Sequence, residues 1–386
     1  MQKNKFNVIL DQAWGSSGKG KMSAFLADSY RCANVSSSNY PNAGHSVVFC
    51  DGSKFVAKAI PTAAALKRAD ITNPVCWISP GSGFKPERLV QEWHESGKPR
   101  IFIHGRASVV TTDHARRERE GKDSTKHIAS TMQGSGAAIA DKVLRKADCI
   151  LARDIDWVEY GVPKEFLNSV MVLSAKEFRD RTYDAMAKND FWLHEGSQGF
   201  ALSIDHGSHY PTCTSRNCSV QAAMDHMAIP PQMVGDVYLN VRSYPIRVGN
   251  VIENGVEKGY SGDWYPDHKE VSWDDVARAA GMPPDEVENL KAREYTTVTG
   301  RLRRCATFSH AGLKDAVKVN GATKLMLNFV QYINWNDRGL KGGKEAFHKL
   351  SSETRSFITN IEESTNVPVV LIGTGAGHDE IINLLE

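Results

Sequence analysis

Short apolar runs recur along the chain, among them FNVIL, VCWI, RIFIHG, MVLSA, FWLHEG, VGDVYLNV, TKLMLNFV and PVVLIGTG, and each reads as a strand. Between them lie stretches with helical patterning: PERLVQEWHESG, SGAAIADKVLRKAD, DAVKV and KEAFHKLSSETRSFITNIEEST. Strands that alternate with helices predict an α/β fold, a mostly parallel central sheet covered by helices on both faces, with ligands at the C-terminal ends of the strands. No internal repeat, low-complexity tract or linker interrupts the pattern, so residues 1–386 are expected to form a single catalytic domain. The stretch from Val251 to Trp273, rich in Gly, Asp and Tyr, is expected to be an irregular excursion from the core.

Composition narrows the function classes. A length of 386 residues and 41% hydrophobic content allow a buried core without metal or disulfide staples. The formal net charge of +2 comes from balanced acids and bases, which argues against nucleic acid as the main partner. Seven cysteines without a C-x-x-C pair argue against a disulfide framework or a zinc knuckle, and Cys213 and Cys218 read as reduced thiols. A strand begins near the N-terminus without a preceding signal region, and no long apolar run follows. A soluble, cytoplasmic protein without a membrane partner is expected.

The candidate chemistry begins after the first strand. DQAWGSSGKGK leads into the helical stretch KGKMSAFLADSY, read here as amphipathic; a strand, a glycine-rich lysine turn and a helix N-terminus together cradle phosphate. The G-x-x-x-x-G-K part of a P-loop-like phosphate site runs from Gly15 to Lys21. Met22 stands where a Walker loop has its magnesium-binding hydroxyl, and the loop itself holds no carboxylate. In NAGHS, from Asn42 to Ser46, His45 gains weight only beside such a loop, where it can donate to a phosphoryl group in transfer. In HEGSQGFALSIDHGSHYPTCTSRN a strand ends at Glu195. Gln198 suits a purine edge, and Thr212, Thr214 and Ser215 suit a phosphate. Asp205 and His206 read as a capped turn at least as readily as a metal site. TTVTGRLRR is open to three readings: a solvated charged face, an RNA patch, or a carboxylate clamp.

Taken in order, these motifs resemble the adenylosuccinate synthetase family, which joins aspartate to C6 of a purine nucleotide at the expense of a nucleoside triphosphate. The family's QWGDEGKGK is matched by QAWGSSGKGK, its NAGH is intact, and its EGAQG-x-x-x-D-I-D-H-G is matched by EGSQGFALSIDHG. ASTMQGSGAAIADK, VTGRLRR and GTGA echo its remaining stretches. The resemblance implies that Ser16, Lys19 and His45 lie at the catalytic centre. It implies triphosphate contacts from Gly15, Ser17, Gly18, Lys19, Gly20, Lys21, Lys324, Gly373, Thr374 and Gly375. The nucleotide monophosphate falls to Ser16, Asn42, Ser130, Thr131, Gln198, Thr214 and Arg301, joined by Arg145 from a second subunit of a homodimer. Aspartate falls to Val298, Thr299, Arg301 and Arg303, and Mg²⁺ to Ser16 and the Gly44 carbonyl.

Two departures from the family's pattern bear on substrate. Ser16 stands in place of the acid that takes the purine N1 proton, and a neutral hydroxyl does not take that proton at pH 7. The smaller side chain leaves room for a 2-amino group. The stretch TKLM, residues 323 to 326, is set against the family's T-K-L-D, whose aspartate reads the guanine of GTP. Met326 offers only apolar contact there, so an adenine donor is expected. Lesser changes are Val298 in the aspartate loop and Gln133 in the phosphate stretch. Together they point to the family's bacteriophage branch, which uses dGMP, L-aspartate and ATP or dATP with Mg²⁺.

Overall fold

The computed structural model describes residues 1–66, 73–120, 124–296 and 299–385. Ten strands build the central sheet: β1 (Phe6–Asp11), β2 (Asn34–Ser37), β3 (Val75–Ile78), β4 (Ile101–His104), β5 (Val170–Leu173), β6 (Trp192–Glu195), β7 (Val234–Arg242), β8 (Lys324–Asn328), β9 (Val369–Gly373) and β10 (Ile381–Asn383). From one edge to the other they run β10, β9, β8, β7, β1, β6, β2, β3, β4, β5. All neighbours are parallel except β9 and β10. The expected mostly parallel α/β sheet is therefore present. Along β1 the side chains alternate between two core layers: Phe6, Val8 and Leu10 pack with Leu239 and Val241, while Ile9 packs on the other face with Met22 and Leu26. A parallel strand buried on both faces needs a nearly continuous apolar run, which is why the sequence pattern located most of the sheet.

The pattern passed over β2 and β10. β2 reads NVSS, with Ser36 and Ser37 fully buried; Ser36 accepts from Trp192 Nε1 at 2.8 Å and meets His194 Nδ1 at 3.0 Å. Buried serines, of which Ser36 is satisfied by the neighbouring strand, leave no apolar signature. The helix after β1, α1 (Lys19–Ser29), is not amphipathic as the sequence suggested. Its Lys19–Ala24 segment, Leu26 and Ala27 are all buried, because α1 lies between the sheet and the hairpin His45–Val48/Lys54–Ala57. A Cβ on Gly20 would stand 2.8 Å from the Ser46 carbonyl, so glycine sets the depth of that packing.

The stretch from Val251 to Trp273 is more ordered than expected. Val251–Glu253 pairs with Val256–Gly259 across Asn254 and Gly255, both left-handed, the usual Asn-Gly hairpin turn. The expected long helix near the C-terminus is two, Lys344–His348 and Ser352–Thr365. Asp337 grips Ser351 N and Oγ at the break, and the Ser351 hydroxyl caps the second helix. No helix among the described residues is long and apolar enough to cross a membrane.

Candidate active site

The parallel register brings five strand ends to one edge: Asp11 opposite Asn240, Glu195 beside Ile9, Arg242 opposite Asn328, and Asn328 opposite Gly373. A cavity of about 1030 Å³ opens there. The loop after β1 supplies its floor. Gly15 and Gly18 take φ of 91° and 80°, and Ser16 adopts 51°, a left-handed bend that leaves its side chain exposed to the cavity. Lys19 Nζ reaches the Gln198 carbonyl at 3.0 Å and Lys21 Nζ the Gly375 carbonyl at 2.9 Å. Burial lowers the pKa of both ammonium groups. For Lys19 the charges of Asp11 and Glu195 oppose the shift; for Lys21, pushed down to about 7, Glu380 opposes it. Two buried lysines at a helix start suit an anion, whose charge would favour their protonated forms.

His45 faces this floor from the first strand of the hairpin. Its Nδ1 bonds Glu195 Oε1, and Glu195 also accepts from Thr62 N at 3.0 Å and Thr62 Oγ1 at 2.9 Å. Burial and the Lys19 charge lower the imidazole pKa, with Glu195 opposing. Burial disfavours the Glu195 carboxylate too, but His45, the Ser23 hydroxyl and Lys19 together hold its pKa below the ordinary range. The Nδ1–H of His45 thus points at a carboxylate and Nε2 is left for a ligand.

Most residues expected from the sequence line this one cavity: Gly15 to Lys21, Asn42, Gly44, His45, Ser130, Thr131, Gln198, Thr214, Arg303 and Gly375. Asn42 Oδ1 and Arg303 Nε are buried without a protein partner. Arg301 donates from Nη2 to the Ala129 and Ser130 carbonyls at 2.9 and 3.1 Å, next to the proposed phosphate grip, and its Nη1 is unpartnered. Thr299 bonds Thr296, which lines the cavity in its place. Gly373 and Thr374 stand behind the wall: a Cβ on Gly373 would meet Asn328 Oδ1 at 1.9 Å, and Thr374 Oγ1 donates to the Leu340 carbonyl at 2.6 Å. Arg145 is exposed just beyond helix Ser135–Val143 and does not line this cavity. Val298 lies outside the described residues.

Two expectations from TKLM are corrected. Lys324, expected at the triphosphate, begins β8 at the opposite edge of the sheet, where its Nζ pairs with Asp236 Oδ2 at 2.7 Å. Met326, expected at the donor base, is fully buried in mid-strand and packs in the core with Ile9 and Leu371. Inside a parallel strand neither residue reaches the C-terminal rim. The same segment meets the cavity further on, through Asn328, Phe329, Gln331 and Tyr332, and then Trp335 and Arg338.

Sequence reading also missed two arginines at the end of β7 and beyond. Arg242 donates to the Ser16 carbonyl at 2.6 Å and to Glu294 Oε1 at 2.5 Å. Arg247, 2% exposed, lies 4.9 Å over the Trp14 ring and donates to the Ser261 carbonyl at 2.7 Å, leaving Nη1 unpartnered. The visible signal was a pair of charges, VRSYPIRVG, just where a long apolar strand stops.

Magnesium needs hard oxygen donors and keeps phosphate oxygens in its shell. Ser16 and Gly44 line the cavity, and a hydroxyl and a backbone carbonyl are oxygen donors of this kind, so the residues present fit the ion.

Comparison with known proteins agrees with the site. The adenylosuccinate synthetase family model matches residues 8–155 and 161–338. The N6-succino-2-amino-2'-deoxyadenylate synthase of Vibrio phage phiVC8 is 30% identical over 86% of this chain and 88% of its own. The adenylosuccinate synthetase of Methanocaldococcus jannaschii is 29% identical over 98% and 96%. The solved cyanophage S-2L succinoaminodeoxyadenylate synthetase (PurZ), bound to dGMP and to dATP as an energy donor, superposes with a TM-score of 0.80 at 25% identity, covering 100% of this chain and 97% of that one. With the Gly15–Lys21 loop, His45 and Arg303 gathered at one sheet edge, the chain is a carbon–nitrogen ligase and belongs to the adenylosuccinate synthetase family.

Proposed function

We propose that this ligase joins L-aspartate to C6 of dGMP with ATP or dATP as phosphate donor, giving the succinylamino-2-aminodeoxyadenylate, ADP or dADP, and phosphate. The observation that carries this reading is Ser16. In the family's loop an acid holds its place, whereas here a short side chain on a left-handed residue (φ 51°) opens onto the cavity; on this reading it makes room for a 2-amino group beside the purine N1. The cyanophage enzyme, which binds dGMP and dATP, supports the same reading.

In this mechanism Asn42, Ser130, Thr131 and Thr214 hold the 5′-phosphate, joined by Arg145 of a second subunit. Gln198 meets the base. The purine 6-oxygen attacks the γ-phosphorus while Lys19, Lys21 and the loop N–H groups hold the triphosphate and His45 Nε2 donates to the moving phosphoryl group. Aspartate, held by Arg303 and Arg301, then displaces phosphate from C6; oxide is too poor a leaving group to be displaced directly. Bound Mg²⁺ supplies positive charge to the triphosphate. Purified protein given aspartate, ATP, Mg²⁺ and either dGMP or IMP is expected to turn over dGMP. Turnover of IMP alone would reject the reading in favour of an ordinary adenylosuccinate synthetase, the activity of the archaeal relatives.

Ser16→Asp tests the space beside N1. A carboxylate there crowds a 2-amino group, so kcat/KM for dGMP is expected to fall at least about tenfold, and more than for IMP. Equal losses for the two purines would count against this geometry.

The donor base is assigned to the wall after β8. Gln331 lines the cavity, and its Oε1 is buried without a partner. An amide offers one acceptor and a donor side by side, which matches the 6-amino group and ring nitrogen of adenine. Gln331→Asp replaces that pair with two acceptors, suited to the N1–H and 2-amino donors of guanine. The ratio of kcat/KM for GTP over ATP is expected to rise about tenfold or more. A ratio left unchanged in paired initial-rate assays would place the base elsewhere.

A further inference from the structure

The loop lacks the carboxylate that elsewhere in the family takes the purine N1 proton, yet a carboxylate lies directly behind it. Asp11 ends β1, is 2% exposed and lines the same cavity. Its Oδ1 accepts from Ala13 N at 2.8 Å, and its Oδ2 accepts from the Ser17 hydroxyl. Among the described residues no lysine, arginine or histidine stands within ion-pair distance of it. A turn-capping aspartate needs only the first of these contacts.

The proton on Ser17 has a fixed direction. Asn240 Nδ2 donates to the Ser17 carbonyl at 2.8 Å and to Ser17 Oγ at 2.6 Å. A carbonyl only accepts, so the amide of Asn240 cannot be turned round; its Oδ1 in turn accepts from Asn328 Nδ2 at 3.0 Å. Because Asn240 donates to Ser17 Oγ, the hydroxyl hydrogen must go to Asp11. The amide–amide–hydroxyl–carboxylate chain therefore runs one way, and Ser17 Oγ, on the cavity wall, keeps one lone pair for a further donor.

We infer that Asp11, acting through the Ser17 hydroxyl, is the proton acceptor for the purine N1–H, replacing the acid lost at Ser16. The inference rests on the ligase reading above. The N1 proton passes to Ser17 Oγ as the Ser17 proton passes to Asp11 Oδ2. The electron pair left on N1 delocalises to the 6-oxygen, the bond from that oxygen to the γ-phosphorus forms, and the bond from the γ-phosphorus to the bridging oxygen of the departing diphosphate breaks. N1 of the product stays unprotonated, so once the product has left the cavity Asp11 gives the proton up through the Ser17 hydroxyl to solvent. Asp11 is thus a positioning and proton-accepting residue one hydroxyl removed from substrate. The charged and titratable groups facing it are Lys19 of α1, His45 of the hairpin and Cys218 beyond β6, all of which feel its charge.

The test is the pH profile of kcat for wild type, Asp11→Asn, Ser17→Ala and the double variant, each with dGMP and with IMP. Hypoxanthine and guanine both carry N1–H, so the relay is measured on whichever purine the wild type uses. A wild type active only on IMP removes the dGMP assignment and leaves the relay open to the same measurement. Asp11→Asn is expected to lower kcat by about 10²-fold, with KM for the purine changed less than about threefold and the acidic limb of the wild-type profile gone. Ser17→Ala is expected to fall to a similar level and the double variant no further, since the two act as one unit. Ser17→Thr, which keeps the hydroxyl, is expected to recover at least a tenth of wild-type kcat and the acidic limb. An Asp11→Asn enzyme with its acidic limb intact, or losses that multiply in the double variant, overturns the relay. If Asp11→Asn does not fold, the contrast between Ser17→Ala and Ser17→Thr decides the matter by the same limb.

Discussion

Replacing His45 by Ala is expected to lower kcat by roughly 10³-fold while leaving KM for the triphosphate within a few-fold. The size follows from position. The imidazole is 9% exposed, its Nδ1 is committed to Glu195, and Lys19 shares the same floor, which leaves Nε2 for the phosphoryl group in the proposed mechanism. In the free protein burial and Lys19 keep the ring short of its proton. An arriving triphosphate brings negative charge, raises that pKa and turns Nε2 into a donor when one is needed. The sign of the pH dependence follows: a group that works protonated loses activity as pH rises through its pKa in the complex. Glu195→Gln removes the carboxylate that favours the charged ring, so the alkaline limb of kcat should move to lower pH. An alkaline limb unmoved by Glu195→Gln, or near-normal turnover by His45→Ala, takes the histidine out of the chemistry.

The positions that could be read from sequence share a physical trait. Phosphate chemistry needs backbone N–H groups, glycines and lysine in a contiguous stretch, so Gly15 to Lys21 declares itself in one loop. NAGH and EGSQG are equally local. Met326 and Lys324 went wrong because a short motif shifted by a few residues along a strand crosses from the rim to the core. Only the register of β8 against β7, with Arg242 opposite Asn328, fixes which residue meets the cavity. Asp11, Asn240 and Arg242 were silent for a related reason. Each sits at the end of an apolar strand and gains its role from partners brought alongside by the sheet, such as Asn240 reaching Ser17. β2 was missed because it buries serines in place of apolar residues, Ser36 being satisfied by Trp192 and His194 of β6, a pairing the sequence does not display.

Arg242→Met is expected to destabilise the protein by about 3–5 kcal/mol, the usual consequence of removing one member of a buried ion pair. Arg242 and Glu294 side chains are 2% and 3% exposed, and the guanidinium also lies 4.0 Å from the Phe329 ring centroid. Without it Glu294 keeps, among the described residues, Arg303 at 3.3 Å and the Tyr332 hydroxyl at 3.0 Å, too little to compensate a charge held out of water. Stability and catalysis separate in the double variant. Arg242→Met with Glu294→Leu removes both charges of this pair, and part of the lost stability should return in chemical denaturation, the remainder being held back because Arg303 loses its carboxylate partner. Activity should not return with it. The same guanidinium holds the Ser16 carbonyl at 2.6 Å, and Glu294 accepts from Arg303 at 3.3 Å, so under the proposed function the pair ties the loop beside the purine to the arginine assigned to aspartate. Equal denaturation midpoints for the single and double variants would mean that Glu294 is not stranded. Full recovery of kcat in the double variant would mean that the loop holds its left-handed bend at Ser16 without this anchor.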